Sequence, residues 1–77
     1  MMFFFDTHDG ERRIVDGSGT DLAGEAEAVE QAVALLRDLS HAEVALGSPR
    51  LFSVTVRDAA GRGLYAASLE LRVDSLA

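Results

Sequence analysis

Cysteine, tryptophan and lysine are absent from this 77-residue chain, and Pro49 is its one proline. Without cysteine there are no disulfides and no thiolate metal ligands to staple a small fold. Aromatics are few, four Phe and one Tyr. No apolar run approaches the roughly 20 residues of a membrane-spanning helix. Met1 to Phe5 is apolar, but it is shorter than a secretory leader core and lacks a charged flank. A soluble, cytoplasmic protein with no membrane association is the expectation. Positive charge is also scarce: seven basic residues, all Arg, stand against 13 acidic ones, a net charge of −6. That balance argues against nonspecific binding to nucleic acid or anionic membranes, which need a surplus of cations on the contacting face. The exclusive use of Arg reads as a codon effect of a GC-rich genome.

The length fits one domain, residues 1–77, with no room for a second core. A chain of this size buries only about 60% of the surface its unfolded form exposes. With no cysteine to cross-link it, self-association is the expected supplement to the core.

The stretch Asp21 to Leu46 is the one segment long enough for a substantial helix. Ala26, Val29, Val33 and Leu36 recur at steps of three and four, widened by Ala32 and Leu39, with Glu27, Glu30, Gln31, Asp38 and His41 opposite. Thr20 and Asp21 suit the start, and Gly47 and Pro49 suit the stop. Met2 to Asp6 reads as a strand apolar on both faces, followed by an Asp9-Gly10 turn and a returning strand from Arg12 to Asp16. After the helix, Leu51 to Arg57 and Leu64 to Val73 alternate at period two around a turn at residues 58–63. The fold class is therefore α+β, a ββαββ chain forming a four-stranded antiparallel sheet in the order 2-1-3-4, with one helix packed on one face. Its expected core is Val29, Val33 and Leu36 from the helix, with Phe52, Val54, Val56, Leu69 and Leu71 from the strands.

One helix covers only one face of such a sheet. Either Met2 and Phe4 or their face-mates Phe3 and Phe5 are left facing water, and an exposed apolar patch of this kind marks an interface. A homodimer that buries the second sheet face, or pairs edge strands, is the expected assembly.

The opening Phe4-Phe5-Asp6-Thr7-His8-Asp9-Gly10, then Asp16-Gly17 with Gly19-Thr20, an Ala-rich helix, and Val54-Thr55-Val56-Arg57-Asp58 with Gly61-Arg62 resemble a family of small uncharacterised alpha-proteobacterial proteins. Its members open with an aromatic-aromatic-Asp-x-x-Asp-Gly motif. The resemblance covers nearly the whole chain and departs at Ala23-Gly24, where members more often carry a Pro and an acidic residue. The family is a domain of unknown function, so the resemblance implies a fold and a bacterial context and supplies no catalytic residues.

Asp6, His8 and Asp9 form the one cluster with the character of a metal or acid–base site. The favoured account is a hairpin turn in which the Asp side chains cap amides and His8 is solvated. Asp16, Ser18, Thr20 and Glu27 match four positions of a calcium-loop template, but Asp21 stands where that template requires Gly. Gly17-Ser18-Gly19 and Gly61-Arg62-Gly63 are too short to cradle phosphate. Ser18, Ser40 and Ser68 lack the surroundings of a nucleophile. Arg50, Arg57 and Arg62 could form a small basic patch near one end of the second hairpin for an acidic partner or RNA phosphate. The favoured reading has them solvated and paired with Asp58, Glu11 or Glu70.

The leading expectation is a non-catalytic protein-interaction module, homodimeric and without cofactors, in a regulatory or stress-related role, with a further protein partner as an added prospect. Two alternatives come from other classes. One is a metal-dependent or hydrolytic enzyme using Asp6, His8 and Asp9; the other is an antitoxin-like, nucleic-acid-associated regulator.

Overall fold

The computed structural model describes residues 1–41 and 49–77. Among the described residues five strands and one helix follow in the order β1 (Met2–His8), β2 (Arg13–Ile14), β3 (Thr20–Asp21), α1 (Glu25–Leu39), β4 (Arg50–Arg57) and β5 (Gly63–Leu71). All pairings are antiparallel, and the sheet runs β2-β1-β4-β5, with β3 also on β1. The four expected strands thus stand in the expected order. A short fifth one, β3, was not anticipated.

The additional strand has a local cause. The chain returning from the Asp9-Gly10 turn pairs with β1 at Thr7 and His8, leaves it, and pairs again at Met2 and Phe3. The expected strand Arg12–Asp16 is accordingly cut to two residues. Thr20 and Asp21, expected to start the helix, lie instead in β3. The helix begins at Glu25 behind Gly24, whose extended backbone provides no side-chain cap. At the other end the Ser40 amide donates to Leu36 O at 3.1 Å and its hydroxyl to Arg37 O at 2.8 Å, so α1 closes at Leu39. The remaining positions of the expected helix, Ala42 to Leu46, and the expected cap at Gly47 lie outside the described residues.

The core sits between α1 and one face of the sheet. Phe3 and Phe5 of β1 and Phe52, Val54 and Val56 of β4 meet Ala28, Ala32 and Leu36 of the helix, all buried. Leu22, Leu35, Leu39, Leu64, Ala67 and Leu71 pack around them. The buried stripe is therefore Ala28-Ala32-Leu36, rotated from the expected one. Val29 is 38% exposed, Val33 is half-buried and Ala26 is exposed. The reason is volume. Three phenylalanines fill the sheet side, so small residues on the facing stripe let the helix lie close without voids. Leu69 also departs from expectation at 40% exposure, because among the described residues β5 is an edge strand with no neighbour beyond it. Leu36, Phe52, Val54 and Val56 are buried as expected, with Leu71 at their margin.

Enlarging the close contact should be costly, whereas enlarging the flank should not. Ala32→Leu is expected to destabilise the domain by about 1–3 kcal/mol through overpacking, while Val29→Leu stays within about 0.5 kcal/mol. Denaturant midpoints of the two variants check this contrast.

Candidate functional site

The face of the sheet away from α1 is mixed, with exposed Met2 and Leu51 beside a polar centre. Antiparallel pairing places Phe4 opposite Arg57, Asp6 opposite Thr55 and His8 opposite Ser53 on that face. Asp6, Thr7, His8, Arg13, Ser53 and Thr55 line a hollow of about 160 Å³. A larger open hollow of about 490 Å³ adjoins it, sharing His8 and Ser53 and bounded by Gly10, Pro49, Arg50 and Leu51.

Asp6 is the buried charge of this face, 7% exposed. Its Oδ2 accepts from Arg57 Nε at 2.9 Å and its Oδ1 from the Asp16 amide at 2.9 Å. Arg57 also donates through its terminal nitrogen to Asp16 O at 2.6 Å and lies over the Phe4 ring, 4.7 Å from its centroid. Asp16 in turn works as a substitute strand. Between the short β2 and β3, the amide of Phe5 has no backbone partner on its outer side, and Asp16 Oδ2 accepts it at 3.0 Å. Oδ1 of the same carboxylate takes the amides of Ser18 and Gly19, each at 3.0 Å. Asp6, Arg57 and Asp16 thus form one bracket joining β1, β4 and the segment between β2 and β3.

The bracket holds that segment down on Phe4. Gly19, at φ +75°, lies so close that a Cβ there would sit 2.9 Å from both Met2 Cε and Phe4 Cε1. Glycine satisfies both the left-handed backbone and the close approach. Of the two pairs expected as alternatives for the spare face, Met2 and Phe4 are the ones turned away from the helix. Phe3 and Phe5 are buried beneath the helix, and Phe4 is half-buried between Arg57 and Gly19. Met2 alone of the four stays substantially exposed, at 42%.

His8 and Asp9 shape the turn. His8 Nδ1 accepts from the Gly10 amide at 2.9 Å, and Asp9 Oδ1 accepts from Glu11 and Arg12 at 2.9 and 2.8 Å. Asp9 also faces the Arg50 guanidinium at 3.6 Å. The structure therefore brings Asp6 and His8 to one hollow but turns Asp9 toward its own amides. Among the described residues no group of three His, Asp or Glu side chains is placed to hold a metal ion. The arginines do not gather in a basic patch. Arg50 and Arg57 stand at opposite ends of an eight-residue strand, about 23 Å apart. They pair with Asp9 and Asp6, and Arg62 with Asp58.

Each carboxyl of the bracket is held below its ordinary pKa. For Asp6, burial pushes the value up, but the Arg57 hydrogen bond, the Asp16 amide and the charges of Arg57 and Arg13 more than offset it. For Asp16 the amides of Gly19, Phe5 and Ser18 dominate. Asp9 is lowered by the Arg12 and Glu11 amides.

The sequence profile of a domain of unknown function, DUF6894, matches residues 2–70. The chain belongs to that family. No curated protein and no solved structure matches it. In this DUF6894 chain no described helix is long and apolar enough to cross a membrane.

The bracket sets the response to acid. A carboxyl with a lowered folded pKa stabilises the native state fully above its unfolded value, near 3.9. That contribution is lost as pH falls through the folded value. Asp6→Ala, which strands Arg57 and the Asp16 amide, is expected to cost about 2–4 kcal/mol at pH 7. The gap between wild type and variant should narrow steadily from pH 5 to pH 2 in denaturant titrations.

Proposed function

We propose that this DUF6894 domain is a non-catalytic protein-interaction module that works as a homodimer, in a bacterial cytoplasmic setting and in a regulatory or stress-related role. The observation carrying this reading is the free edge of the sheet. β5 is nine residues long and, among the described residues, has β4 on one side only. Beside it Tyr65 and Leu69 are 42% and 40% exposed, and Val29 on the helix is 38% exposed. A long unpaired strand flanked by apolar side chains is a template for a further strand.

Catalysis finds little support in the polar face. Both oxygens of Asp6 are taken up by Arg57 and the Asp16 amide, and one oxygen of Asp9 by turn amides. These are structural tasks, and they leave His8 without the two carboxylate partners that an acid–base or metal site on this turn would use. Binding to nucleic acid is disfavoured by the net charge of −6 and by the dispersal of Arg50, Arg57 and Arg62, each facing a carboxylate.

Multi-angle light scattering at tens of micromolar chain is the direct check. The expected mass is twice the 8.2 kDa of the chain. A mass of one chain throughout that range overturns the homodimer.

A further inference from the structure

We infer that the partner of β5 is β5 of a second copy, paired antiparallel about a two-fold axis through Ala67. This rests on the interaction-module reading above and specifies its surface, its occupant and its register. Three features of the strand carry it.

The first is that the two edges of the sheet differ. The β1 side is closed by β2 and β3, two residues each, with the Asp16 segment bulging between them. Interruption of this kind is how edges are protected from pairing. β5 carries no such device: Gly63 to Leu71 contains no proline, no basic residue and one charge, Glu70. Its register shift against β4 lies at the Arg57 end, so the stretch from Tyr65 to Leu71 runs regularly.

The second is that the strand complements itself in this register. Centring on Ala67 sets Tyr65 opposite Leu69 of the partner copy, twice by symmetry. Both side chains share the helix-side face, since Tyr65 pairs with Val56 and Leu69 with Phe52 in β4. An aromatic ring opposite an aliphatic side chain is a stabilising cross-strand pair. The methyl group of Ala67 occupies the axis, between the two Tyr65–Leu69 pairs. On the other face Ala66 meets Ser68, and Glu70 lies three positions from the axis, so the one charge of the strand never faces its own copy.

The third is that the flank is already arranged for the contact. Tyr65 is held by a 2.8 Å hydrogen bond from its hydroxyl to Glu25 Oε2. Val29 follows one turn later on the same side of α1, and residues four apart share a helix face. A second copy joined at β5 would cover these half-exposed apolar groups as it completes the backbone ladder, extending one continuous sheet across both chains.

The absence of native cysteine makes the register directly testable on the full chain. Directly opposed residues of an antiparallel pair have Cα atoms about 4.5–5.5 Å apart, within disulfide reach. Ala67→Cys is therefore expected to convert the bulk of the protein to a covalent dimer under mild oxidation. Gly63→Cys should stay uncross-linked, because its two copies lie about 26 Å apart in this register. A mixture of Ala66→Cys and Ser68→Cys, both at exposed positions, should cross-link as a hetero-pair and serves if Ala67→Cys fails to fold. Leu69→Arg should give one-chain mass with an unchanged far-ultraviolet circular dichroism spectrum. A wild-type dimer that cross-links at neither Ala67 nor the mixed pair, or that persists in folded Leu69→Arg, overturns the β5 pairing while leaving the interaction-module reading in place. A wild type of one-chain mass overturns the β5 pairing and the homodimer together.

Discussion

The ion pair between Asp6 and Arg57 is the contact on which the rest of this domain's surface depends. It joins two strands whose sequence positions are 51 residues apart, and it does so on the side of the sheet that the helix leaves uncovered. A buried carboxylate is costly unless its hydrogen-bonding capacity is met. Here one oxygen takes the guanidinium and the other an amide from the Asp16 segment. Among the described residues no buried side-chain polar atom is left without a partner. The pair therefore brings a backbone segment with it, and that segment lies over Phe4.

This changes where the sticky surface lies. A ββαββ sheet with one helix has a spare face, and four consecutive apolar residues in β1 point to that face as the interface. The chain instead seals its own apolar ring with Arg57 above it and Gly19 against it. The spare face carries Asp6, His8, Arg13, Ser53 and Thr55 around its hollow, with Leu51 and Met2 as its exposed apolar members. At the β5 edge Tyr65, Leu69 and Val29 stand half out of the core, while Ile14, Val15 and Leu51 are exposed elsewhere. A small, cysteine-free domain that keeps a long edge strand open gains a means of stabilising itself by association.

The elements of the fold were readable in the sequence because they rest on local patterns: period two in β4 and β5, period near 3.6 in α1, and turn chemistry at Asp9-Gly10 and Asp58 to Gly63. The order of the four main strands followed from the doubly apolar β1. What escaped were the consequences of register and volume. Asp6 lies on the same side of β1 as Met2 and Phe4, and Arg57 on the side of β4 away from Val56, so parity alone allows them to meet. Nothing in the sequence says that Phe4 lies opposite Arg57, and without that register Asp6 reads as one more turn acid. Asp16 was misread as a strand end because its carboxylate replaces a backbone partner. The helix stripe was rotated because hydrophobicity favours Val29 over Ala28, whereas the crowded Phe side of the core favours the smaller residue.

The central claim is that the bracket closes the Phe4 face within one chain while β5 stays open to a second. Amide hydrogen exchange measured on the intact protein at low and high concentration tests it most directly. The account predicts that protection within Gly63 to Leu71 rises with concentration, while the amides of Phe5, Asp16 and Gly19 are protected to the same degree at both. Protection that rises with concentration at Phe4 and Gly19, with β5 unchanged, would contradict it.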